Sequence, residues 1–111
     1  MSDLKLVLHV SEADRWHAVL SNLVNLTALE DRPEVRVVVN GSAVYVLQGE
    51  HDQLAQMAKA AAAGVTFQIC NNSLRAHDIP AANLPNWAQT VPAGVLALAE
   101  AQRGGFAYIK P

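Results

Sequence analysis

Val65-Thr66-Phe67-Gln68-Ile69-Cys70-Asn71-Asn72-Ser73-Leu74-Arg75 reads as an apolar strand that ends in a turn and opens a helix. A strand feeding directly into a helix is the unit of an open α/β sheet, in which ligands collect at the carboxyl ends of the strands. The stretch ends its strand on Cys70, the chain's one cysteine. The free N–H groups and dipole at a helix start favour a thiolate over a thiol.

The same alternation extends in both directions. Leu4 to Val10 is a dense Leu/Val run without strict alternation, as expected of a strand buried on both faces of a parallel sheet. Ser11 is a candidate cap, with Asp14 a weak stand-in for a capping-box acid. Trp16, Leu20, Leu23 and Leu26 then recur at helical spacing, and the helix should end near Glu30, before Pro33. Glu34 to Val39 is a valine-rich second strand, followed by an Asn40-Gly41-Ser42 turn. Ala43 to Gln48 suits a short helix or an extended piece. A helix follows from about His51 to Ala63, with Leu54, Met57 and Ala58 as its stripe and Gly64 as its cap.

Beyond Cys70 a short helix is expected over Ser73 to His77, then a loop from Ile79 to Asn86 and a brief strand from Trp87 to Val91. Pro92 suits a first helical turn, with Val95, Leu96, Leu98 and Ala99 supporting a helix to about Arg103. Gly104-Gly105 stops it, and Phe106 to Ile109 forms a last strand. The expected fold is therefore α/β: a single three-layer domain over residues 1–111. Its sheet is mostly parallel with about five strands, wound by right-handed crossovers with helices on both faces.

Composition narrows the function classes. The chain has 111 residues, of which 51% are hydrophobic and 16% charged, too apolar for disorder and apolar enough to suggest burial between subunits. Net charge is -2 and the eight Lys and Arg are scattered, which argues against a nucleic-acid partner. Met1 to Leu6 does not read as a signal peptide. The Ala60 to Val65 run falls far short of the roughly 20 residues that cross a bilayer, so no membrane partner is expected. A lone cysteine fits a reducing cytoplasm.

Several chemistries lack their motifs. The loop Val10-Ser11-Glu12-Ala13-Asp14 has two acids and no glycine, unlike a phosphate cradle. No Cys-x-x-Cys occurs, which argues against a dithiol enzyme. His9, His17, His51 and His77 are dispersed without metal-ligand spacing. No metal or cofactor is called for. Cys70 remains, as a nucleophile or as buried packing. The amides of Asn72 and Ser73 are candidate donors to it, and Asn71 begins the same turn. Arg75 and His77 are nearby sources of positive charge. His9 and Asn40-Gly41 end their own strands on the same edge, as a proton acceptor and as hydrogen-bond donors to a bound group. A buried, hydrogen-bonded histidine is the simpler account of His9, and a tight turn explains Asn40-Gly41-Ser42 as well as binding does. Trp16 and Trp87 read as packing residues, Asn25 as a buried polar contact, and Arg32 and Arg36 as surface residues.

The stretch Gly64 to Leu74 resembles the cysteine segment of the DsrE/DsrF-like proteins. Val91-Pro92-Ala93-Gly94-Val95 and Gln102 to Pro111 resemble that family's ending, and His9-Val10, Trp16 and Asn22 to Asn25 are similar to its small members. The resemblance implies a small α/β domain that assembles into trimers or hexamers. It also implies, for sulfur-relay members, a cysteine that accepts sulfur as a persulfide and passes it between a donor and an acceptor protein. On it, the leading expectation is a persulfide-carrying protein acting through Cys70, a sulfurtransferase-like carrier without full turnover. The alternatives are a non-catalytic oligomeric binding module and a redox sensor joining two Cys70 thiols across subunits.

Overall fold

A computed structural model describes residues 2–111. Five strands form one parallel sheet: β1 (Lys5–Val10), β2 (Glu34–Val39), β3 (Thr66–Cys70), β4 (Ala88–Val91) and β5 (Ala107–Ile109). Their order is β4-β3-β2-β1-β5, and every neighbouring pair is parallel. Four α-helices connect them: α1 (Trp16–Thr27), α2 (Asp52–Ala62), α3 (Asn71–Ala76) and α4 (Gly94–Arg103). The α/β architecture with helices on both faces is the one the alternating pattern predicts.

The handedness of crossovers explains the layering. From β1 to β4 the chain steps in one direction across the sheet, and right-handed crossovers keep their helices on one face. The next connection runs back past β1 to place β5 on the far edge, so α4 covers the opposite face. The larger core lies under α1 and α2, where Trp16, Leu23, Val37, Phe67 and Ile69 are fully buried. The smaller core lies under α4 and joins Val7, Val38, Ala97, Leu98, Ala101 and Phe106.

Helix boundaries differ from the pattern where capping is unconventional. A 3-10 turn over Ala13–Arg15 precedes α1, whose first residue is Trp16. Ser11 caps nothing there; its Oγ accepts from Lys110 Nζ at 2.7 Å. Residues Gly41–Leu47 form a 3-10 helix that buries Ala43, Val44 and Leu47, resolving the open choice for that stretch. Pro92 lies outside α4, which begins at Gly94. That helix buries Leu98 together with the small residues Gly94, Ala97 and Ala101 against the sheet, and leaves Val95, Leu96 and Ala99 of its apolar stripe exposed. Asn25 is exposed, not a buried contact. Arg36 is half-buried, with its guanidinium 4.1 Å from the centre of the Phe106 ring, a cation–π contact that the isolated sequence position could not show.

No described helix is long and apolar enough to cross a membrane.

Candidate functional site

Cys70 is the last residue of β3 and the residue immediately before α3. The strand therefore runs into the helix with no intervening loop, because α3 starts at Asn71 and not at Ser73. The thiol occupies the N-cap position, where a side-chain acceptor faces the amides of the second and third helical residues. Cys70 is on the α4 face of the sheet, since Phe67 and Ile69, one residue out of phase with it, point into the α1–α2 core. It is buried, with 5% exposure.

Burial alone would push the Cys70 thiol up. The Ser73 hydroxyl and the backbone amides of Ser73, Gly94 and Asn72 outweigh that effect and hold it below its ordinary value. In the resting geometry the sulfur makes no close capping bond. Two amides come from the start of α3. The third, Gly94, comes from the start of α4, which the return crossover brings over the strand ends.

Ser73 is oriented by its own partner. Its Oγ accepts from the Gly41 N–H at 2.9 Å, which leaves its hydroxyl proton for the Cys70 sulfur. Gly41 adopts φ +57°, and a Cβ there would lie 2.5 Å from the Ser11 carbonyl oxygen. Only glycine turns the chain at that point and presents its N–H to Ser73.

A second set of contacts lies on the same edge. His9 Nε2 is 2.9 Å from Asn40 Oδ1, and His9 Nδ1 is 2.7 Å from the Tyr108 hydroxyl. Asn40 packs against Gly94, where an added Cβ would stand 3.2 Å from Asn40 Nδ2. Burial is the main influence on His9 and lowers its pKa; the Asn40 bond opposes this, and the Lys110 charge reinforces it.

The structure thus gathers Cys70, Ser73, Asn72, Gly41, Asn40 and His9 at one sheet edge. Asn71, the first residue of α3, is half-buried, and no hydrogen bond links its side chain to the thiol. Arg75 Nη2 donates to Asn72 Oδ1 at 3.3 Å, and His77 Nδ1 lies 2.9 Å from the Tyr45 hydroxyl. Trp16 is wholly buried and donates its Nε1–H to the Ala43 carbonyl at 2.9 Å. Trp87 packs edge-on to Phe67 at 4.9 Å. Sequence reasoning missed Gly94 and Tyr108. The parallel pairing of Val7 with Tyr108 puts the tyrosine on His9's face of the sheet, but that neighbourhood is visible only once β5 is known to lie beside β1.

A family model of the DsrE/DsrF-like family matches residues 6–111. The chain belongs to the DsrE/DsrF-like family. Among solved structures, the protein of unknown function MTH1491 from Methanobacterium thermoautotrophicum is 31% identical with a TM-score of 0.89, over 98% of this chain and 100% of that one. The conserved protein of unknown function BT1422 from Bacteroides thetaiotaomicron, 13% identical, gives a TM-score of 0.79 over 96% of this chain and 94% of its own. The ychN protein of E. coli, 14% identical, gives 0.70 over 97% and 99%. The last two share the fold. A comparison with curated proteins finds no match.

Proposed function

We propose that this DsrE/DsrF-like protein is a sulfur-relay carrier that holds a sulfane sulfur on Cys70 as a persulfide. The observation that carries this reading is the thiol itself, held below its ordinary pKa by one hydroxyl and three amides at a strand end. A thiolate is the attacking species in sulfur exchange. The Cys70 thiolate attacks the outer sulfur of a donor persulfide, R–S–SH. The new S–S bond forms as the donor's breaks; the donor leaves as R–S⁻, and Cys70 becomes Cys70–S–SH. An acceptor thiolate then attacks that outer sulfur and releases the Cys70 thiolate. No oxidant or metal enters the balance, and one cysteine suffices because donor and acceptor bring their own.

In this reading Ser73, Asn72 and the Gly94 amide stabilise the thiolate, and Gly41 orients Ser73. Asn71 starts the helix that carries these donors, and Asn40, hydrogen-bonded to His9, lies on the side of the site that would bind the transferred group. The single domain spans residues 1–111, works in the cytoplasm and forms trimers or hexamers, with exposed Val95, Leu96, Tyr108 and Ile109 available for burial between copies. Light scattering tests the assembly.

Incubation with a persulfide donor, followed by intact-mass measurement, tests the chemistry. The expected result is a gain of one sulfur that thiol reductants remove and Cys70→Ser abolishes. No gain with any donor overturns the reading and leaves Cys70 as packing.

A further inference from the structure

Tyr108, His9 and Asn40 form a continuous hydrogen-bonded chain across three adjacent strand ends, leading from exposed β5 to the helix start above Cys70. Its directions follow from the chemistry of its members. An amide oxygen only accepts, so the proton between His9 and Asn40 belongs to His9 Nε2. A neutral His9 then has a bare Nδ1, which must accept, so the Tyr108 hydroxyl donates to it. With its oxygen held, Asn40 presents its NH2 group away from His9, beside Gly94. The Gly94 amide is one of the groups facing the sulfur. Asn40 is not among the groups that act on the bare thiol, so its donor is unspent. A second sulfur bonded to Cys70 reaches about 2 Å beyond the first.

We propose that Tyr108 and His9 are positioning residues that lock the Asn40 amide, so that its NH2 donates to the outer sulfur carried on Cys70. The inference deepens the persulfide reading and rests on it. It assigns division of labour: Ser73 and the amides serve the thiolate, and Asn40 serves the cargo. It also gives Tyr108 a role, although the tyrosine is three strands from the thiol's own strand.

The test installs the persulfide chemically, without any natural donor. An aryl mixed disulfide on Cys70 is displaced by hydrosulfide, giving Cys70–S–SH and the free aryl thiolate. Cyanolysis then removes the outer sulfur as thiocyanate and returns the Cys70 thiolate, and its rate gives the lifetime of the cargo. Loss of a hydrogen bond to a charged sulfur should shorten that lifetime by about tenfold in Asn40→Ala. His9→Gln, whose side-chain NH2 still reaches Asn40 Oδ1, should keep the lifetime, while His9→Leu should shorten it. Tyr108→Phe should shorten it less. Tyr45→Phe breaks the matching tyrosine–histidine bond on the outside of α3 and should change nothing. Nitrogen-15 NMR of His9 should find its proton on Nε2 in wild type.

A purely structural role for the chain would not separate His9→Gln from His9→Leu. Equal lifetimes for those two, or a proton on Nδ1, overturn the proposal even if Asn40→Ala fails to fold. A chemically installed persulfide that behaves as expected, beside no exchange with any donor or acceptor protein, leaves the positioning role standing and sinks the relay function. A thiol that cannot be charged even chemically sinks both.

Discussion

Two junctions on the same sheet edge turn a strand into a helix, and they are built in opposite ways. After β1 the chain spends Ser11 and Glu12 and a 3-10 turn before α1 begins at Trp16. After β3 it spends nothing: Cys70 is both the last strand residue and the cap of α3. At the first junction, Glu12 and Asp14 precede α1, and the first amide of the turn, Ala13 N–H, donates to the Ser42 hydroxyl from across the sheet edge at 3.1 Å. At the second, the helix amides face a thiol that they help to hold below its ordinary pKa. The difference teaches that position in an open α/β fold permits a site, and the number of residues between strand and helix decides what it can do. Gly41 is the point where the two junctions touch, since a Cβ there would meet the Ser11 carbonyl while its N–H holds Ser73.

Gly41→Ala should therefore have the largest effect. A side chain there pays for a left-handed conformation and meets the Ser11 carbonyl, a backbone atom that cannot step aside. Urea unfolding should show a loss of about 3 kcal/mol; an unchanged midpoint would mean that the two junctions are not coupled through this residue. Ser73→Ala comes next. It strands the Gly41 N–H and removes the hydroxyl from the sulfur, so about 1–2 kcal/mol of stability is lost and the thiol pKa rises. The pH dependence of Cys70 alkylation reads that rise directly.

The wild-type profile carries its own sign. Because the folded thiol lies below its unfolded value, its contribution to stability is complete above about pH 8.5 and fades as pH falls through the folded value. His9, also lowered, favours its neutral form in the fold. Its contribution is complete above about pH 6.5 and is lost as pH falls below that. An alkylation midpoint at or above the free-thiol value would erase the contrast between the junctions. The smallest effect belongs to Ser11→Ala, which removes only the Lys110 contact. It should change stability by less than about 0.5 kcal/mol and leave the Cys70 profile where it was.

The sheet was legible because its strands are short valine- and leucine-rich runs punctuated by turns, and burial on both faces demands that composition. The carboxyl-edge grouping of His9, Asn40, Gly41 and Cys70 followed from that sheet alone. What the pattern misplaced were contacts made by returning chain. Of the α4 stripe only Leu98 is buried, because a helix lying close on Val7 and Val38 buries Ala97 and Ala101 beside it and leaves Val95 outside. Tyr108 meets His9 across 99 positions, a separation over which no local periodicity carries information. The pattern sets the start of α3 two residues late because cysteine is not an expected cap.

The return crossover has a consequence in time as well as in space. Residues 94–111 bring Gly94 over the thiol, add β5 beside β1 and hold His9 through Tyr108. A chain folded only through β4 would have its cysteine, its Ser73 and most of its core, but a thiol missing one amide and open on the α4 face. Reactivity at Cys70 is thereby tied to docking of the final segment, the last step of assembly in chain order. The sulfur becomes a chemical witness that folding has finished.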